Sequence, residues 1–332
     1  MLSTFLSTSG AHAIDIETET LFVQNDSTCY RIPALAADDS GGLLAVVERR
    51  RGLDAHNGEG RGDCRDWGHV DLVARGSSDG GRTWTDTERL MPPDVFSQAG
   101  YATVAAGNPT IVPLGGKGRF LVVFAVTRSE TTDNSASCVV KERLPTRCGG
   151  VAADHGLYAI ETADGGRNWG RPRPIRAGEA TNDPTVYPGP GSGRRLADGR
   201  LAIPVYGHVL LSDDGGKSWR STAVPRLDGR REIMFGEAAI AANDDRLVLI
   251  GRLSAPSLKR LSAEIPDAPA PRLLATSRDR GESFSIVRLD RSFPGPPTQV
   301  GTTFLQNGLL LVSFPFSTER WAAGPTMGRR RN

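Results

Sequence analysis

SSDGGRTW at 77–84 returns three more times along the chain, as TADGGRNW at 162–169, SDDGGKSW at 212–219 and SRDRGESF at 277–284. The shared form is Ser/Thr, any residue, Asp, any residue, Gly, any residue, a polar residue and an aromatic. An apolar, β-prone stretch leads into each copy: HVDLVARG, HGLYAIET, YGHVLL and PRLLAT. Each unit therefore reads as a strand running into a tight turn. The Asp carboxylate can accept from turn amides, the Gly can take positive φ, and the aromatic can anchor the turn on the layer below.

Four copies held in register are an internal repeat. Their unequal spacing fits one motif per propeller blade with loops of variable length, and argues against a solenoid of constant period. Outward from the turns, strand-like runs recur: LLAVVE, RFLVVFAV, GRLAIPVYGHVLL, DRLVLIGR and GLLLVSF. No segment shows a sustained helical stripe and no linker divides the chain. The Gly-rich stretches at 52–62 and 189–199 read as loops over one face. The expectation is an all-β protein.

Composition agrees. Among 332 residues, 39 Gly and 22 Pro call for many turns, and 38% hydrophobic content is enough for a core. Forty Lys and Arg against 38 Asp and Glu leave a net charge of +2, with no field to draw nucleic acid or a membrane surface. The basic runs at 49–51 and 329–331 read as solvated faces, at Arg51 and at the C-terminal run above all. No apolar run reaches the roughly 20 residues that a membrane span needs. Cys29, Cys64, Cys138 and Cys148 form no C-x-x-C pair, which disfavours zinc or redox chemistry. Cys138 and Cys148 flank a short loop suited to a disulfide, and Cys29 with Cys64 is a second candidate pair. An even count is compatible with an oxidising compartment. Residues 1–13 end in Ala11-His12-Ala13 and read as a signal-peptide remnant or a disordered N-terminus. Residues 14–332 read as one domain. The five histidines lack ligand spacing, so no metal and no cofactor is expected.

CYRIPALA at 29–36 resembles the Arg-Ile-Pro signature of the sialidase family, and the four octapeptides resemble that family's Asp-boxes. The resemblance continues in family order through LLAVVERR at 43–50, DWGHVDLVARGSSDGG at 66–81, GNPT at 107–110, GPGSGRRLADGRLAIPVY at 189–206 and GEAAIAANDDRLVLIGR at 236–252. It implies a six-bladed β-propeller whose last blade is incomplete, and a retaining exo-α-sialidase acting on sialylated glycans, glycoproteins or gangliosides outside the cell.

The residue types suit that chemistry. Sialic acid carries a carboxylate on its anomeric carbon, and Arg reads a carboxylate through two parallel charge-assisted hydrogen bonds. The resemblance assigns Arg31 and Arg252 to a carboxylate-binding triad. The third member is Arg320 by spacing or Arg330 by its RRN context. Arg50 matches an additional arginine of the family, or else belongs to a solvated face. Asp66, nine positions before Arg75, matches the general acid/base, with Asp63 and Asp54 as rivals. Glu237, in an apolar stretch, matches the base that activates a Tyr nucleophile, the family's departure from two-carboxylate chemistry. No tyrosine follows Tyr206 in the sequence, whereas the family's tyrosine comes after the third arginine. The chain therefore reads as truncated at its C-terminus, with two alternatives to the enzyme: a non-catalytic sialic-acid-binding propeller, and an unrelated propeller with the same turns.

Overall fold

The computed structural model describes residues 18–51, 69–92, 103–129, 156–182, 186–227, 235–244, 246–253, 257, 270–285, 287–293, 295–296 and 298–316. Residues 1–13, the 52–62 loop, Cys64, Cys138 and Cys148 lie outside them.

Strands dominate, as period-2 patterns bounded by Gly-rich turns require. The first antiparallel unit runs β1 (Cys29–Ala37), β2 (Leu43–Arg51), β3 (His69–Ser77) and β4 (Glu88–Arg89). The second runs β5 (Thr103–Pro113), β6 (Phe120–Ser129), β7 (Gly156–Thr162) and β8 (Arg173–Pro174). A parallel pairing of Val70 with Ala105 ties the two together. A four-residue helix, α1 (Glu179–Asn182), follows. The stretch at 189–199, expected as a loop, contains β9 (Gly191–Ser192) and β10 (Arg194–Arg195). It is extended because it lies along inner strands: the Gly193 amide donates to Ile111 O at 2.9 Å, and Ser192 Oγ donates to Leu35 O at 2.5 Å.

The third unit is β10 with β11 (Leu201–Val205), β12 (His208–Ser212) and β13 (Arg220–Ala223). The fourth is β14 (Phe235–Asn243), β15 (Arg246–Leu253), β16 (Arg272–Ser277) and β17 (Arg288–Asp290). A hairpin of β18 (Gly301–Phe304) and β19 (Leu310–Ser313) comes last. Four four-stranded antiparallel units and one pair are thus present among the described residues.

The units stack face to face, so middle strands bury both sides. Along β6, Phe120, Val122 and Phe124 enter the core shared with Leu44, Val46 and Leu72. Leu121, Val123 and Ala125 enter the next core, with Ile203 and Leu210. β15 repeats the pattern, with Leu247 and Leu249 facing the third unit while Val248 and Ile250 face β18 and β19. Strict alternation with both faces apolar is what stacked blades demand. The β18–β19 pair covers one side only, leaving Leu309 and Leu311 exposed.

All four octapeptides close one turn. The first-position hydroxyl accepts from the fifth-position amide, at 2.9 Å in Ser77–Gly81 and 2.8 Å in both Ser212–Gly216 and Ser277–Gly281. The Asp Oδ1 accepts from the seventh-position amide, at 2.9 Å from Thr83, Asn168 and Ser218 and 3.0 Å from Ser283. The fourth copy puts Arg280 at φ 59 in a slot where the others have Gly. Trp84 and Trp219 pin the turn by donating to the carbonyls of Gly81 and Gly216. Cys29 is disulfide-bonded.

Candidate active site

Arg31 lies on β1 directly opposite Glu48 of β2. Arg50 follows Glu48 by two positions and therefore shares its face of the strand. Glu237 is near the start of β14 and Arg252 near the end of β15. Asp66, Asp63, Asp54, Arg320 and Arg330 lie outside the described residues.

Three strands carry the same irregularity here. Between Arg31 and Ala34, β1 advances three residues while β2 advances two, from Glu48 to Val46. Between Gly107 and Thr110, β5 does the same against Ala125 to Val123, and β14 does so between Phe235 and Ala238 against Leu253 to Gly251. Each is a bulge with one extra residue, a device that bends a strand and re-aims its side chains. Two of the bulges hold non-glycine residues at positive φ, Ile32 at 54° and Asn108 at 54°. Left-handed backbone is costly for a β-branched residue, by roughly 1–3 kcal/mol, and such strain concentrates where function requires an unusual backbone.

A continuous hydrogen-bonded chain joins the β5 and β14 bulges to Glu48 and Arg50 of β2. Arg50 Nε donates to Glu48 Oε2 at 2.7 Å. The Asn108 amide donates to Glu48 Oε1 at 2.8 Å. Asn108 Nδ2 reaches Glu237 Oε1 and the Pro188 carbonyl, each at 3.2 Å. Arg252 Nε donates to Glu237 Oε2 at 2.8 Å. The first, second and fourth units are thus linked through two carboxylates. Gly107 permits it: a Cβ there would stand 2.6 Å from Glu48 Oε1.

Burial sorts the members. Glu48 and Arg50 are only 2% and 4% exposed, which excludes a solvated face for Arg50 and gives its guanidinium to Glu48. The side chains of Glu237 and Arg252 are 22% and 32% exposed and can meet a ligand. Arg252 uses Nε on Glu237, and its two Nη groups carry no hydrogen bond among the described residues. Arg272, at the start of β16, stands close to Arg252. Burial, and then the charge of Arg252, push its pKa down to about 10. It holds the segment at 296–298 by donating to the carbonyls of Pro296, at 2.9 Å, and Thr298.

Glu48, Asn108 and Arg272 were not singled out from the sequence as site residues. A signal existed for the first, since Val46, Glu48 and Arg50 share one face of an otherwise apolar strand. Asn108 stood within the quoted GNPT segment with nothing local to mark it.

The arrangement offers an arginine whose two Nη groups carry no hydrogen bond among the described residues, beside a carboxylate held on both oxygens. No protein-family model matches the chain. A sialidase of Bacteroides fragilis is 27% identical over 213 residues, covering 59% of this chain and 35% of the relative. A sialidase of Micromonospora viridifaciens is 28% identical over 295 residues, covering 80% and 37%. The chain thus spans little more than a third of the length of these curated relatives. Among solved structures, the Hadza microbial sialidase Hz136 superposes with a TM-score of 0.63 at 19% identity, over 87% of this chain and 54% of that one, a likeness of fold. Taken with the Arg-Ile-Pro strand and the stacked four-stranded units, these matches make the chain similar to sialidases, distantly in sequence and clearly in fold.

Proposed function

We propose that this chain binds a terminal sialic acid through its carboxylate and acts as a retaining exo-α-sialidase on glycoconjugates. The observation that carries the reading is Glu237, held between Arg252 and Asn108 in a cluster of strand bulges beside Arg31. Arg252 keeps its Nη groups for the ligand carboxylate, with Arg31 as second donor and Arg320 as third. Arg272 adds positive field from behind, while Arg50 neutralises and fixes Glu48. Asp66 supplies the proton to the leaving oxygen and later takes one from water. Glu237 is the base that polarises a phenol nucleophile, a neutral group that avoids repulsion by the substrate's own carboxylate.

Calorimetric titration with a sialic-acid-like inhibitor tests the clamp. Arg31→Ala and Arg252→Ala should each weaken binding by about 2–5 kcal/mol, the range for removing one partner of a buried charged pair. Unchanged affinity in Arg31→Ala overturns the assignment. For Asp66, Asp66→Ala should slow alkyl sialosides far more than aryl sialosides, whose leaving groups need little protonation.

A second reading is a sialoside-binding propeller without turnover. It is favoured by the partners of Glu237, which among the described residues are Arg252 and Asn108 and no tyrosine. Inhibitor binding without release of 4-methylumbelliferone from its sialoside would select it. Extracellular placement fits the disulfide at Cys29. Among the described residues, no helix is long and apolar enough to cross a membrane.

A further inference from the structure

We propose that a cavity at the end of β1 opposite Arg31 binds a small organic anion, with Arg194 as its cationic anchor. The cavity has a volume of about 390 Å³ and lies between β1, the β9–β10 segment and the β18–β19 hairpin. Its walls are reached from Arg31 by moving four to six positions along β1, roughly 13–20 Å at about 3.3 Å per residue. It is therefore separate from the carboxylate clamp.

The lining has the composition of an anion site. Leu35, Ala36 and Leu311 give an apolar surface, and Ser192, Thr303 and Ser313 bring hydroxyl groups. Arg194 brings the charge, and no carboxylate lines the cavity among the described residues. The half-buried guanidinium donates to two neutral carbonyls, Gly193 O at 3.1 Å and Thr302 O. No acidic residue pairs with it among the described residues, and burial pushes its pKa down to about 10. A shielded cation whose recorded acceptors are only neutral is poorly compensated, and a charge-assisted bond to an anion would offset that cost. The volume lies within the usual range of small-molecule sites and is too small for a polymer. One guanidinium, scattered hydroxyls and an apolar wall fit an organic monocarboxylate better than inorganic phosphate, which needs several charged donors.

Benzoate is the probe, with inorganic phosphate as comparison, both titrated into the full chain and followed by NMR line broadening of the ligand. The variants are Arg194→Gln, Thr303→Trp to fill the cavity without touching the arginine, and the double variant Arg31→Ala/Arg252→Ala. Measured in the Arg31→Ala/Arg252→Ala background, so that the carboxylate clamp cannot contribute, benzoate binding should persist, fall at least tenfold when Arg194→Gln or Thr303→Trp is added, and exceed that of phosphate. Circular dichroism establishes folding, and if Arg194→Gln does not fold, Thr303→Trp decides. Equal benzoate affinity with and without the cavity substitutions in that background, no benzoate binding once the clamp is removed, or phosphate binding as tightly as benzoate would overturn the proposal. Failure of the carboxylate clamp leaves it untouched, because the double variant reads the two sites separately.

Discussion

Asn108 Nδ2 stands 3.2 Å from Glu237 Oε1, across 129 positions of sequence. Its backbone amide meanwhile holds Glu48, 60 positions away in the other direction. One residue in a strand bulge therefore fixes two carboxylates from two other units. It can do so because Asn tolerates the left-handed backbone, φ 54° here, that turns its amide and side chain to different neighbours.

Asn108→Ala should destabilise the protein by about 1–3 kcal/mol, through a polar group left without its partner and a backbone that a Cβ disfavours. Asn108→Gly keeps the backbone and loses only the side chain, so it should melt above the Ala variant. Both should bind a sialic-acid-like inhibitor more weakly, because Glu237 loses one of its two supports. Urea titration and calorimetry read the two effects separately. Melting of the Gly variant at or below the Ala variant would contradict the backbone argument.

Glu48→Gln should cost about 3–5 kcal/mol, the usual penalty for stranding one partner of a buried ion pair. The substitution preserves shape but leaves Arg50, 4% exposed, without its carboxylate. Chemical denaturation measures the loss directly. A change below about 1 kcal/mol would mean that Arg50 finds another acceptor.

The turn aspartates predict acid sensitivity. The hydroxyls of Ser283 and Ser277, with the Ser283 amide, hold the Asp279 carboxyl down to about 2. The Thr83 hydroxyl and amide hold Asp79, and the Ser218 hydroxyl and amide hold Asp214, well below the usual carboxylate range. In an unfolded chain an Asp titrates near about 3.9. A folded-state pKa below the unfolded one gives stability that is complete above about pH 4 and is lost as pH falls through about 2. The melting temperature of wild type should therefore exceed that of Asp279→Asn at pH 6, with the gap closing between about pH 4 and pH 2. A gap that stays constant over that interval would show that the carboxylate charge contributes nothing.

The strands and their turns were readable from the sequence because their causes are local. Alternation along RFLVVFAV needs only a two-residue period, and the octapeptide closes its own hydrogen bonds within seven positions, as Ser77, Asp79 and Thr83 do. Arg31, Glu237 and Arg252 were named from the sequence because each sits in a short segment that resembles a family signature, and the structure pairs two of them at 2.8 Å. Tertiary structure decided the rest. Whether Arg50 was a solvated cation or a buried one depended on Glu48 and on the blade packed over it. The 189–199 stretch became extended through contacts with Ile111 and Leu35. Asn108 became the joint between two carboxylates only once three bulged strands met. Hydrogen bonds and burial act over a few ångströms of space, so a pattern confined to neighbouring residues reveals strands and turns, while a contact spanning 129 positions exists only after the blades have stacked.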